Sequence, residues 1–137
     1  MTINTEILEK CILTLEKSYE LIKQEKEGSI DYEMYRNSLV KSFELTLEQS
    51  GKLLKKKIAP FFANNKAVDA LNFKDIFRNA LKHSLITSEE LERWFEYRNN
   101  RNNTAHDYGK SFAEETLCLI ESFLIDVKNL KKVIENE

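Results

Sequence analysis

At 137 residues, the chain has the length of one domain that buries about two thirds of the surface its unfolded form exposes. Hydrophobic residues make up 42% and charged residues 32%, with one proline and three glycines, which excludes a disordered or linker-like chain and favours an all-α protein. The net charge of -2 argues against a broad basic face of the kind that grips duplex nucleic acid through many phosphates, and leaves room for a local cationic site.

From the N-terminus, Ile7, Leu8, Cys11, Ile12, Leu15, Tyr19 and Ile22 recur at the three-four spacing of one helical stripe. "KEGSID" around Gly28 interrupts it. A second long helix carries Tyr35, Leu39, Phe43, Leu47, Leu54 and Ile58, and Pro60 ends it, because proline has no N–H and clashes with the preceding turn. "FFANNKAV" reads as a loop. Asn72, with Asp75 three residues on, caps a short helix that buries Phe73, Ile76, Phe77, Ala80 and Leu81. Thr87 with Glu90 forms a capping box for the next helix, which buries Leu91, Trp94 and Phe95, and Ser111 with Glu114 suggests another. Ala113, Leu117, Ile120, Leu124, Val127 and Ile134 then stripe a last helix. The expected architecture is an antiparallel up-and-down four-helix bundle with a short extra helix in the second connection, one domain over residues 1–137.

Cys11 and Cys118 lack CxxC spacing and are expected as buried free thiols, with a bridge between the first and last helices as the lesser alternative. The start "MTINTEILEK" has no basic segment followed by an apolar block, and no apolar run nears the ~20 residues that span a bilayer, so a cytoplasmic location and no membrane association are expected. The two histidines have no partner at metal-ligand spacing, so neither a dedicated metal site nor a cofactor is expected.

One stretch departs from this pattern. "YRNNRNNTAHDYG", Tyr97 to Gly109, holds two arginines, four asparagines, a histidine and two tyrosines. Asparagine competes for the backbone, so the helix is expected to fray or end here. Arg98 and Arg101 are three apart and project toward one face of a helix, where paired guanidiniums favour an anion. Arg101 and His106 would lie about 140° apart on an unbroken helix, and a turn between them can bring both to one pocket. Arginine neutralises phosphate, and an imidazole near neutrality moves a proton, so the pair suits attack of an RNA 2′-hydroxyl on its own phosphate without a metal. Spacing alone favours the plainer alternative of a solvated helix end. His83 reads as a boundary histidine, "KLLKKK" as a solvated helix end favoured by the macrodipole, and Trp94 and Phe95 as packing anchors.

"RNNTAHDY", Arg101 to Tyr108, resembles the signature of the HEPN superfamily, in which four to six residues separate an arginine from a histidine. Tyr108, two beyond His106, resembles the mark of the subgroup paired with minimal nucleotidyltransferases. "SLVKSFELTLEQSGKLLKK" and "FKDIFRNALKHSLI" followed by "RWFEYRNNRNNTAHDY" look like the nucleotidyltransferase substrate-binding family in the family's order. Two positions depart from it: the tryptophan usual near Gly51, and the acidic residue common before the motif arginine, where Asn100 stands.

The resemblance implies a homodimeric four-helix bundle with both motifs lining a shared cleft. It implies that Arg101 stabilises phosphate, His106 acts as general acid or base, Asn102 orients them, and Tyr108 receives AMP from a cognate nucleotidyltransferase that acts as antitoxin. Arg98 either widens the cleft for RNA or pairs with Glu92 or Glu96. The expected function is a toxin that cleaves RNA such as tRNA; the alternative is a non-catalytic subunit presenting a nucleotide to a nucleotidyltransferase.

Overall fold

The computed structural model describes residues 2–104 and 110–136, and the side chains of 101–113 lie outside that description. All secondary structure among the described residues is helical: α1 (Glu6–Ile22), α2 (Ile30–Ile58), α3 (Asn65–Asp69), α4 (Phe73–Lys82), α5 (Ser88–Thr104) and α6 (Lys110–Glu135). The four long helices form the expected bundle. α4 packs against both α2 and α5, and so fills the second connection.

The punctuation is chemical. Gly28 turns the chain with φ +91°, a region where a Cβ is strained, and the Ser29 hydroxyl accepts from Tyr32 N at 3.1 Å to start α2. α2 stops at Ile58 in front of a 3-10 turn, Ala59–Phe61, that contains Pro60. "FFANNKAV" is not wholly a loop: the Asn64 side chain accepts from Ala67 N at 2.9 Å and starts α3. This five-residue helix is too short to show hydrophobic periodicity. Asn72 caps α4 by accepting from Asp75 N at 2.8 Å, as expected. α6 begins at Lys110, one residue before Ser111.

The core contains Leu8, Ile12, Leu15 and Ile22 of α1, then Leu39, Phe43, Leu47, Leu54 and Ile58 of α2. Ile7, expected inside, is 63% exposed, because the stripe runs through Leu8 instead. On α6 the buried positions are Thr116, Ile120, Phe123, Asp126, Val127, Leu130 and Ile134, whereas Leu117 and Leu124 are only half-buried. Rings join the layers: Phe123 meets Phe43 edge-on at 4.8 Å and Tyr97 at 5.0 Å, while Phe77 lies 4.8 Å from Trp94. Buried Gly51 lets the Phe73 ring approach within 3.0 Å of where a Cβ would stand, so α4 seats on α2 through a missing side chain. Both cysteines are free, but Cys11 is half-buried and Cys118 exposed, so neither is the buried thiol expected from its apolar neighbours.

Candidate functional site

Arg101, the arginine of the Arg–His motif, stands on α5. The start of α5 is fixed by the reciprocal capping box, with Glu90 N donating to Thr87 Oγ1 at 3.1 Å and Thr87 N donating to Glu90 Oε1 at 2.9 Å. Trp94 and Tyr97 then place α5 on the core with no exposed surface, as expected of packing anchors for Trp94. The Trp94 Nε1 is the one buried side-chain polar atom among the described residues without a hydrogen-bond partner.

Alongside these rings runs a polar seam between α5 and α6. Arg93 grips Asp126 with both arms of its fork, Nε to Oδ2 at 2.8 Å and Nη2 to Oδ1 at 2.9 Å. The Tyr97 hydroxyl donates to Asp126 Oδ2 at 2.5 Å, and Ser122 Oγ stands 2.9 Å from the same phenol oxygen. The one phenol proton faces Asp126 Oδ2 and Ser122 Oγ together, and the serine hydroxyl in turn donates to the Leu119 carbonyl oxygen at 3.1 Å. Asp126 is 2% exposed, and these partners are what make an ionised carboxylate tolerable there. Burial first, and the Asp126 hydrogen bond second, push the Tyr97 phenol well above its usual value of 10.0. Hydrogen bonding to Asp126 raises Arg93 further and keeps it charged. One turn beyond Tyr97, the Thr116 hydroxyl donates to Asn100 Oδ1 at 3.1 Å, and both residues are buried.

This seam accounts for a difference from the sequence expectation. α5 does not end at the first asparagines but runs through Asn99, Asn100, Asn102 and Asn103 to Thr104. Asn100, expected to compete for the backbone, spends its side-chain oxygen on α6 instead. α5 is described as far as Thr104, and residues 105–109, with His106 among them, lie outside the described residues.

The flanks of α5 differ in charge. Toward α4, the Arg98 guanidinium lies 5.1 Å over the Phe73 ring, and Lys74 and Arg78 lie 5.3 Å and 5.1 Å from the Phe95 ring. On the other flank, Glu96, Asn99, Asn100, Glu115, Cys118 and Leu119 line a shallow cavity of about 360 Å³ whose two carboxylates disfavour an anion. Of the sequence-derived site residues, Arg98, Arg101 and Asn102 occupy the last two turns of α5. His106 and Tyr108 lie outside the described residues, as do the Arg101 and Asn102 side chains.

His83 is the expected boundary residue: it ends α4 and stacks on Phe61 with ring centroids 3.8 Å apart. The lysine run at the end of α2 is partly committed, with Lys55 paired to Asp69 at 3.1 Å and Lys57 bonded to the Asn136 carbonyl. Sequence reasoning missed Arg93, Asp126, Ser122 and Thr116. A signal for Asp126 existed, since it stands three residues after Phe123 and four before Leu130, on the buried stripe itself.

Residues 4–136 match the family described as nucleotidyltransferase substrate binding protein like. The probable ribonuclease HepT of Haemophilus influenzae is 28% identical over 128 residues, covering 90% of this chain and 86% of that protein. Among solved structures, a nucleotidyltransferase substrate-binding domain from Haemophilus influenzae superposes with a TM-score of 0.84 at 28% identity, over 97% of this chain and 100% of its own. A tri-AMPylated HEPN toxin of Shewanella oneidensis, in complex with its MNT antitoxin, shares the fold with a TM-score of 0.67 at 16% identity, over 98% and 100%. The match over residues 4–136, nearly the whole length, shows that the chain belongs to the nucleotidyltransferase substrate binding protein like family.

Proposed function

We propose that this chain is the toxin of a toxin–antitoxin pair, a metal-independent endoribonuclease whose activity a cognate minimal nucleotidyltransferase silences by transferring AMP to Tyr108. The observation that carries this reading is the intact Arg101, His106 and Tyr108 set, in a chain whose relative of 28% identity is a probable ribonuclease. His106 takes the proton of an RNA 2′-hydroxyl, and the freed oxygen attacks the adjacent phosphorus. The P–O5′ bond breaks, leaving a 2′,3′-cyclic phosphate, and the departing 5′-oxygen takes up a proton. Arg101 balances the charge that builds on the phosphoryl oxygens, with Asn102 supporting it. Arg98 guides the RNA along the α4 flank, where Lys74 and Arg78 also stand, and away from the Glu96 and Glu115 cavity. Two copies of the chain join so that their motifs share one cleft. AMP on Tyr108 would place a further phosphate in that cleft and repel the substrate.

A second reading, a subunit that presents a nucleotide to a partner enzyme without cutting RNA, is favoured by the family's own description. Cleavage of tRNA and of labelled RNA by the purified, unmodified dimer in EDTA separates the two. Cutting that disappears in His106→Ala is expected. No cutting on varied RNAs by folded, unmodified protein overturns the toxin reading in favour of the binding subunit. Intact mass, with and without the partner enzyme and ATP, reports AMP on Tyr108.

A further inference from the structure

We infer that Asp126 and Tyr97 are positioning residues: the buried seam they form with Arg93, Ser122, Asn100 and Thr116 holds the last turn of α5 helical and in register with α6, and so sets where Arg101 stands relative to His106. The inference rests on the proposed role of those two residues.

Three observations support it. The stretch from Asn99 to Asn103 holds four asparagines, each costing about half a kcal/mol or more against alanine in a helix, and the C-terminal turn of any helix also has unsatisfied carbonyls. Left to local preference, α5 would unwind there, yet it continues to Thr104. The ties to α6 are spaced for this purpose. Arg93, Tyr97 and Asn100 follow one another at four and three residues, so they form a single line along α5. Asp126, Ser122 and Thr116 lie in reverse order on α6. One carboxylate receives Arg93 and Tyr97 from consecutive turns, which fixes α5 both along its axis and in rotation, since sliding or turning either helix breaks both bonds. Finally, the seam leads to the motif. Position 101 is one turn beyond Tyr97, and only five residues separate Thr104 of α5 from Lys110 of α6 in the chain, so the relative placement of the two helices bounds where His106 and Tyr108 can stand.

Tyr97→Phe is the informative variant, because it keeps the buried ring and leaves Asp126 its Arg93 fork. Leu8→Ala is the control: it opens a cavity in α1 at the end of the bundle away from the motif and is at least as destabilising. Each is assayed below its melting temperature for RNA cleavage and for the imidazole resonances of the chain's two histidines, with His83 assigned by His83→Gln. Tyr97→Phe is expected to move the His106 resonances and leave those of His83 in place, and to lower kcat about tenfold or more with KM little changed, as misplacement of a reacting group does. Leu8→Ala is expected to alter neither. His106 resonances that are unchanged in Tyr97→Phe, or that move equally in Leu8→Ala, overturn the inference. If wild type cleaves no RNA, the ribonuclease reading fails by itself, and the His106 resonances still decide whether the seam positions the motif.

Discussion

α6 carries charge on two sides, and the two sides are built differently. Toward α5 it offers a buried carboxylate, Asp126, shared by Arg93 and Tyr97. Toward α1 it offers a spread of exposed groups: Lys128 pairs with Glu16 at 2.5 Å, Lys131 with Glu9 at 3.0 Å, Glu135 accepts from the Thr5 hydroxyl at 2.7 Å, and Glu121 accepts from the Tyr19 hydroxyl at 3.1 Å. The first arrangement is stiff and intolerant of change; the second is a row of interchangeable surface contacts. Geometry that must be held is found on the α5 side, next to the motif. α1 needs only to stay packed, which Leu8, Ile12 and Leu15 already ensure.

The largest test of this contrast is Asp126→Ala. Removing one member of a buried, hydrogen-bonded ionic group costs about 3–5 kcal/mol, chiefly from the partners left behind. Here the lower end is expected, because the Arg93 side chain is 40% exposed and can turn to water while Tyr97 keeps Ser122. Urea unfolding followed by Trp94 fluorescence measures it. A loss below about 1 kcal/mol would place Asp126 with the surface pairs and remove the distinction between the two sides.

Tyr97 sharpens the contrast through pH. Its phenol is raised above 10.0 in the folded chain, by burial and then by Asp126, so the unfolded chain ionises first. A raised folded value means that the contribution is complete below about pH 10 and is lost as pH rises through the folded value. From pH 10 upward, wild type is therefore expected to lose stability faster than Tyr97→Phe, by about 1.4 kcal/mol per pH unit. Tyr19 is also raised, by burial and then by Glu121, but it lies in the exposed row. Tyr19→Phe should relieve less of the alkaline decline. If it relieves more, the deep seam is not the stiffer of the two.

The same division explains what could be read from the sequence. α1 and α2 were legible because their apolar residues fall on narrow stripes, and the starts of α4 and α5 because Asn72 and Thr87 are capping residues. α6 was legible as a helix but not in register. Leu117, Leu119, Ile120, Phe123, Leu124, Ile125 and Val127 cover a broad arc, and periodicity alone does not choose the line through Thr116, Phe123 and Leu130. The motif stood out because it broke the pattern. Asp126 and Arg93 did not, because charged residues are usually solvated and their pairing across 33 positions leaves no local mark.

The smallest effect belongs to Lys131→Ala. Its ammonium bridges Glu9 and Glu135, and its side chain is 21% exposed against 45% and 41% for those partners. Pairs of this kind contribute about 0.2–1 kcal/mol, and salt screens them. Raising sodium chloride to about 1 M should therefore erase the difference between Lys131→Ala and wild type while leaving that of Asp126→Ala nearly intact, because a buried pair is screened much less. The pH window follows from the shifts. The Thr5 hydrogen bond first, and Lys131 second, hold Glu135 below its usual 4.5, so its contribution is complete above that value and is lost as pH falls through the lowered one. Glu9 first holds Lys131 above its usual 10.5, so its contribution is complete below that value and is lost as pH rises through the raised one. The Lys131→Ala deficit should accordingly be flat from about pH 5 to about pH 10 and shrink outside that range. A deficit that survives both high salt and acid would mean that Lys131 acts through the packing of its aliphatic stem, and the α1 side would then owe little to charge.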